Sequence, residues 1–116
     1  MEDSILKTIK KMLGITDDYT VFDQDLIVLI NMAFNTLSQI GVGPSTGFAI
    51  SGYTESWEEF IGIDPMLEMI KSYTYLKVKQ VWDSDISGSL KDAINKQIEE
   101  LTWRISVQVD PGEETE

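Results

Sequence analysis

The 116-residue chain contains neither cysteine nor histidine. Without cysteine it has no disulfides, thiolate metal ligands or thiol nucleophiles. Without histidine it lacks the commonest general base, the usual zinc ligand and the Ser-His-Asp triad. An enzyme built from this sequence would depend on carboxylates, Lys, Tyr, Ser and bound metal. We therefore expect no catalytic residues, no cofactor and no metal site.

Basic residues are also scarce, because nine Lys and Arg stand against 20 Asp and Glu and the formal net charge is −11. Proteins that bind nucleic acid neutralise its phosphates with clustered basic side chains. The charge balance therefore disfavours a general nucleic-acid binder. An acidic surface suits a basic partner, or a passage through which DNA slides without sticking.

No apolar run approaches the roughly 20 residues that a membrane span requires. Residues 1–4 lack the basic region followed by an apolar run that marks a signal peptide. We expect a protein that folds in the cytoplasm of the cell that makes it, away from membranes. A length of 116 residues suits one domain with one modest core.

Apolar residues at helical spacing predict an all-α fold, a compact bundle of four main helices. The first helix lies between a capping residue at Asp3 or Ser4 and Gly14, with its lysines largely on the polar side. The second, over residues 23–40, is apolar around most of its circumference. That pattern is typical of a central helix.

The third predicted helix starts at Asp64-Pro65, a capping side chain followed by proline, and reaches about Trp82. The fourth begins near Ser89, which has capping-box spacing with an acid three residues later. Its core stripe comprises Leu90, Ile94, Ile98, Leu101 and Ile105. The pattern alternates over residues 105–109, so we expect this helix to fray there into an extended segment.

Residues 41–63 are the least regular part of the chain and predict a loop or small hairpin between the second and third helices. Within them, Ser56 and Glu59 have capping-box spacing and predict a single helical turn. The helical domain is expected to span residues 1–109. Residues 110–116 have the composition of an acidic, flexible tail.

Two patterns imitate metal or catalytic sites. Residues 83–88 copy the first half of an EF-hand calcium loop, but Lys91 and Ile94 occupy the ninth and twelfth positions, which need oxygen ligands. The adjacent acids at 58–59 and 99–100 point about 100° apart around a helix, so neither pair is directed at one point. We interpret these patterns as a polar turn and as solvated faces.

The tryptophans are more informative, because Trp is enriched at protein interfaces. We expect Trp82 to fill the core. Trp103 lies about 200° around the helix from Leu101, so it falls off the core stripe and forms a second apolar spot with Val107. This spot faces either a neighbouring subunit or the 41–63 segment.

Several stretches of the chain together resemble a known family. They are LSQIGV at residues 37–42, WEEFIG at 57–62, YTYLKVK at 73–79, WD at 82–83 and NKQIEELTWRI at 95–105. The family is that of small head–tail connector proteins of long-tailed bacteriophages, and the resemblance covers about residues 3–109. At the turn before the last helix the family carries an aromatic residue followed by Asp-Pro-Pro, where this chain has Trp82-Asp83-Ser84-Asp85.

The resemblance implies a structural adaptor, not an enzyme, that forms a ring below the portal and joins head to tail around the DNA channel. Its implied partners are further copies of itself, the portal protein, and tail or other head-completion proteins, while DNA passes without specific binding. The implied location is the host cytoplasm during assembly and then the head–tail junction of the virion.

Ring packing is heterologous, so two different patches on each subunit must meet. We expect Trp103 and Val107 to form one patch. The second would be the 48–60 segment, which contains Trp57 and Phe60.

An alternative function is an acidic regulator that binds a basic protein or mimics DNA. The net charge fits, but a DNA mimic should display its acids in an extended array. Here the acids are scattered among caps, turns and the tail. A hydrolase that relies on carboxylates alone is a third and weaker hypothesis.

Overall fold

The computed structural model describes residues 4–44, 46–62, 65–82 and 87–109. Five helices follow one another along the chain: α1 Ile5–Leu13, α2 Asp23–Ile40, α3 Trp57–Ile61, α4 Leu67–Trp82 and α5 Gly88–Val109. No strand occurs in these ranges, where the only β-type pairing is an isolated bridge between Ser4 and Ser56. The predicted all-α bundle is confirmed, with α1, α2, α4 and α5 as its main helices.

The bundle is arranged around α4, which contacts α1, α2 and α5. Tyr73 lies near the middle of α4 and is 1% exposed, and its hydroxyl bonds with the side chains of Thr36 on α2 and Thr102 on α5. Burial raises the pKa of Tyr73. Aliphatic side chains from all four main helices surround it and form one core.

The caps predicted for α1 and for the single turn of α3 are confirmed. The Ser4 side chain accepts a hydrogen bond from the Lys7 N–H, and Gly14 closes α1 in the left-handed conformation at φ +83°. In the middle segment, Ser56 Oγ accepts from the Glu59 N–H at 3.1 Å and Glu59 Oε1 accepts from the Ser56 N–H at 2.9 Å. This capping box starts the single turn of α3.

α4 ends at Trp82 as predicted, but its start and both ends of α5 differ from the prediction. α4 begins at Leu67, since Pro65 still lies in a turn. α5 begins at Gly88, and its capping oxygen is that of Ser87, which accepts from the Leu90 N–H at 3.2 Å. The expected fraying over 105–109 is wrong, because α5 stays helical to Val109.

Packing explains the regular end of α5. A Cβ added to Gly41 would lie 2.8 Å from Val109 Cγ1, so the last turn of α5 is seated against the end of α2. At its start, Leu90 is 45% exposed, so the predicted core stripe begins one turn later, at Ile94.

Three predictions fall outside the described residues: the Asp64 cap, the calcium-loop-like turn at 83–86 and the tail at 110–116.

Candidate assembly surfaces

The irregular segment between α2 and α4 faces inward. Trp57 is 0% and Phe60 2% exposed. Phe60 stacks on Phe34 of α2 with ring centroids 4.3 Å apart, and Trp57 Nε1 donates to Thr8 Oγ1 of α1 at 3.0 Å. The expectation that Trp57 and Phe60 form a subunit contact is therefore corrected, because both side chains are already covered by their own subunit.

Polar side chains hold this segment in an irregular loop. The Glu55 carboxylate accepts from the Ser51 N–H at 3.0 Å, the Ser51 hydroxyl at 2.8 Å and the Gly52 N–H at 3.3 Å. Asn31 of α2 donates to the Ile50 carbonyl at 3.0 Å and accepts from its N–H at 2.8 Å. The backbone N–H groups of residues 50–52 are therefore hydrogen-bonded to side chains and not to a hairpin ladder.

A buried ion pair joins α1 to α2, and Tyr53 of the same segment is hydrogen-bonded to both of its partners. Lys10 is 0% exposed, and its Nζ lies 2.9 Å from Asp23 Oδ1 and donates to Tyr53 Oη at 2.7 Å. It also donates to the carbonyls of Asp17 at 3.2 Å and Tyr19 at 2.9 Å. The expectation that Lys10 belongs to a polar, solvated face is wrong, because the 16–20 turn folds back over it.

The electrostatics of the pair indicate a structural role. Burial alone would lower the pKa of Lys10 and raise that of Asp23, but the hydrogen bonds with Tyr53 and the attraction within the pair outweigh it. The pKa of Lys10 is therefore raised and that of Asp23 lowered. Both groups remain charged at neutral pH, so the cluster is unsuited to exchanging protons.

The first exposed apolar surface is on α5. Trp103 is 67% exposed and Val107 42%, and residues four apart lie on one side of a helix. The exposed side chain of Glu99 lies one turn before Trp103 on that side. We call Glu99, Trp103 and Val107 the Trp103 face. The prediction that Trp103 lies off the core is confirmed, and its exposure shows that the 41–63 segment does not cover it.

The second exposed apolar surface is a shallow groove between α2 and α4, with a volume of about 110 Å³. Met32 of α2 is 61% exposed and Val81 of α4 56%. We call this surface the α2–α4 groove. Its walls comprise Leu29, Met32, Ala33, Thr36, Lys77, Gln80 and Val81.

Sequence reasoning missed this groove although a signal was present. In the sequence, the apolar residues around most of α2 are interpreted as the mark of a central helix. A helix on the outside of a small bundle buries only one stripe, and Leu26, Ile30 and Leu37 already supply it. Val28, 56% exposed, and Met32 are apolar residues in excess of that stripe.

Metal binding and membrane spanning receive no support from the described residues. Within those ranges, no three or more acidic side chains are grouped so as to hold a metal ion. None of the helices there combines the length and apolar character needed to cross a membrane.

A small helical bundle that exposes apolar surfaces such as the Trp103 face and the α2–α4 groove is typical of a protein that acts by assembly. The family model described as phage connector protein matches residues 5–112. The match spans nearly the whole chain, so the protein belongs to this family of phage head–tail connectors, and the resemblance found in the sequence is confirmed. Its role is that of a structural connector protein of a bacteriophage. Comparison with curated proteins and with solved structures gives no match.

Proposed function

We propose that the protein is one subunit of an oligomeric ring that joins the portal to the tail around the DNA channel. Family membership supports the connector role. The observation that carries the oligomeric part is the 67% exposure of Trp103 on a well-formed helix, beside the exposed Val107. Exposed tryptophan on a chain that is otherwise rich in charge marks a contact surface.

The energy available from this surface suits repeated contacts. A tryptophan side chain presents roughly 150–250 Å² of surface. Covering the exposed part of Trp103 would contribute about 2–4 kcal/mol at about 25 cal/mol per Å². One such contact per subunit is weak, but closure of a ring repeats it at every interface. A ring would therefore be far more stable than any open pair.

The charge of the chain fits the surroundings of a DNA channel. A subunit with a net charge of −11 repels the DNA backbone, so a channel built from such subunits would let DNA pass without specific binding. The same charge makes copies repel one another. Moderate salt, which screens exposed charges over distances beyond about 10 Å, should help assembly.

The test combines the purified protein with portal rings of the phage that encodes it, at moderate ionic strength. Light scattering should show association, and negative-stain microscopy should show an additional ring on the portal. Trp103→Ala should weaken association by at least about tenfold, a loss of roughly 1.4 kcal/mol. Val21→Ala, which trims a side chain that is 70% exposed ahead of α2, is the control and should assemble normally.

The result that overturns the proposal is a wild-type protein that binds neither itself nor the portal. Binding instead to a nuclease or a repressor would favour the acidic regulator.

A further inference from the structure

The Trp103 face and the α2–α4 groove differ in shape. The Trp103 face projects from one helix, since an indole ring stands out between Glu99 and Val107. The α2–α4 groove is concave, because its walls come from two helices, with Met32 on α2 and Val81 on α4. A projecting surface and a concave one on the same chain are suited to contact between successive copies.

Each surface as defined includes one charged residue, and the two charges are opposite. Lys77 lies in the groove wall one turn before Val81, and Glu99 lies one turn before Trp103. Neither side chain has an ion-pair partner among the described residues. On each helix the charged residue precedes the apolar one by four positions, or about 6 Å along the axis.

We infer that the Trp103 face of one copy packs in the α2–α4 groove of the next copy, with α5 running parallel to the neighbour's α4. In this orientation Glu99 faces Lys77 while Trp103 covers Val81 and Met32. This inference rests on the proposed function and names the surfaces that build the ring. Every copy keeps one surface of each kind for its other neighbour, as a closed ring requires.

Twofold pairing of the Trp103 faces is the main alternative contact between copies. It would leave the groove and Lys77 uncovered, and it would end at a dimer. The matched spacing of opposite charges favours the heterologous pairing, because like charges brought together disfavour a contact and opposite charges fix its register.

Charge exchange tests the pairing. Lys77→Glu alone and Glu99→Lys alone should each weaken association by about tenfold, because each places like charges in contact. Combining Lys77→Glu with Glu99→Lys should restore association to near the wild-type level. Lys11→Glu, an exposed change on α1, is the matched control for added negative charge. Circular dichroism melts of each variant check that the fold is retained.

Cross-linking provides a second measurement, since the chain has no native cysteine. Lys77→Cys and Glu99→Cys proteins are mixed, with or without portal rings, and treated with a short bis-maleimide. The mixture should give a covalent dimer of one copy of each variant. The double variant should give a ladder of higher multimers. A Lys11→Cys and Glu99→Cys mixture should give neither.

The outcomes separate this inference from the proposed function. If the wild type assembles but charge exchange fails to restore association, or the control mixture cross-links equally, the pairing of these two surfaces is wrong and the connector ring stands. If the wild type assembles neither alone nor on the portal, the ring proposal fails and the pairing fails with it.

Discussion

The irregular segment between α2 and α4 and the regular helix α5 use tryptophan in opposite ways. Trp57 of the irregular segment is 0% exposed, whereas Trp103 of α5 is 67% exposed. The segment folds inward because Glu55 and Asn31 satisfy its backbone groups. α5 packs mainly on α4, so one neighbour covers only one side of it. A regular helix is therefore not always the more buried region. Here the long helix α5 keeps the side that carries Trp103 exposed.

The largest expected effect comes from exchanging these two tryptophans for alanine. Trp57→Ala should lower the free energy of unfolding by about 3–5 kcal/mol, because it leaves a cavity among Phe34, Phe60 and α1. Trp103→Ala should change it by no more than about 0.5 kcal/mol, since the side chain has few neighbours to lose. Urea unfolding followed by circular dichroism measures both values. Equal losses would contradict the contrast between the two regions.

The second effect concerns the ion pair between Lys10 of α1 and Asp23 of α2, to which Tyr53 of the irregular segment is hydrogen-bonded. Lys10→Met keeps the length of the side chain but leaves Asp23 and Tyr53 without their cation. Removing one partner of a buried pair costs about 3–5 kcal/mol, and we expect a loss near 3 kcal/mol because Asp23 is 14% exposed. Lys11→Met removes an exposed lysine from the same helix and should be nearly neutral. A small loss for Lys10→Met would mean that the segment is held by its aromatic packing alone.

Local signals were sufficient to predict the ends of the first helices. Ser4, Gly14 and Ser56 act through bonds to residues no more than four positions away, so their roles are visible in the sequence. The bounds of α2, Asp23–Ile40, were predicted from its apolar period and are confirmed. The off-core position of Trp103 follows from helix geometry alone.

Contacts between distant residues were not predictable in this way. Lys10 has the spacing of a solvated lysine, and it is buried because the 16–20 turn folds over it and Tyr53, 43 residues away, approaches it. Phe60 is adjacent to exposed acids in the sequence, yet it stacks on Phe34 and Phe48. The α2–α4 groove depends on how two helices meet that are separated in the chain by residues 41–66. Each of these features is set by tertiary packing, on which hydrophobic period carries little information.

The third effect concerns two glycines, Gly43 of the irregular segment and Gly14 at the end of α1. Gly43 and Gly14 have nearly the same positive φ, +85° and +83°. A Cβ at Gly43 would lie 2.6 Å from Phe60 Cε1, whereas a Cβ at Gly14 would meet nothing within 4 Å. Gly14→Ala should cost about 1 kcal/mol from backbone strain alone. Gly43→Ala should cost about 2–3 kcal/mol, because it also displaces a buried ring.

Thermal melts of the two glycine variants provide the measurement. Equal losses would show that Phe60 moves aside freely, and the irregular segment would then be less tightly packed than its burial indicates.

The smallest effect is a pH dependence of stability that arises from two carboxylates, Glu55 in the irregular segment and Asp23 of α2, which is hydrogen-bonded to Tyr53 of that segment. Burial alone would raise the pKa values of Asp23 and Glu55. Bonds from Tyr53 and Lys10 to Asp23, and from Ser51 and Gly52 to Glu55, outweigh burial and hold both below their ordinary values of 3.8 and 4.5. Folding therefore favours the charged forms. Their stabilising contribution is complete above those ordinary values and is lost as the pH falls through the lower folded pKa values.

The free energy of unfolding, measured in urea between pH 7 and pH 3, should stay level at first and then fall below about pH 4.5. Glu55→Gln removes one of the two groups, so its fall should be shallower than that of the wild type. Glu99→Gln removes an exposed carboxylate from α5 and should keep the wild-type slope. If the two variants had the same slope, the acid sensitivity would come from the net charge of the whole surface, and the irregular segment would have no special part in it.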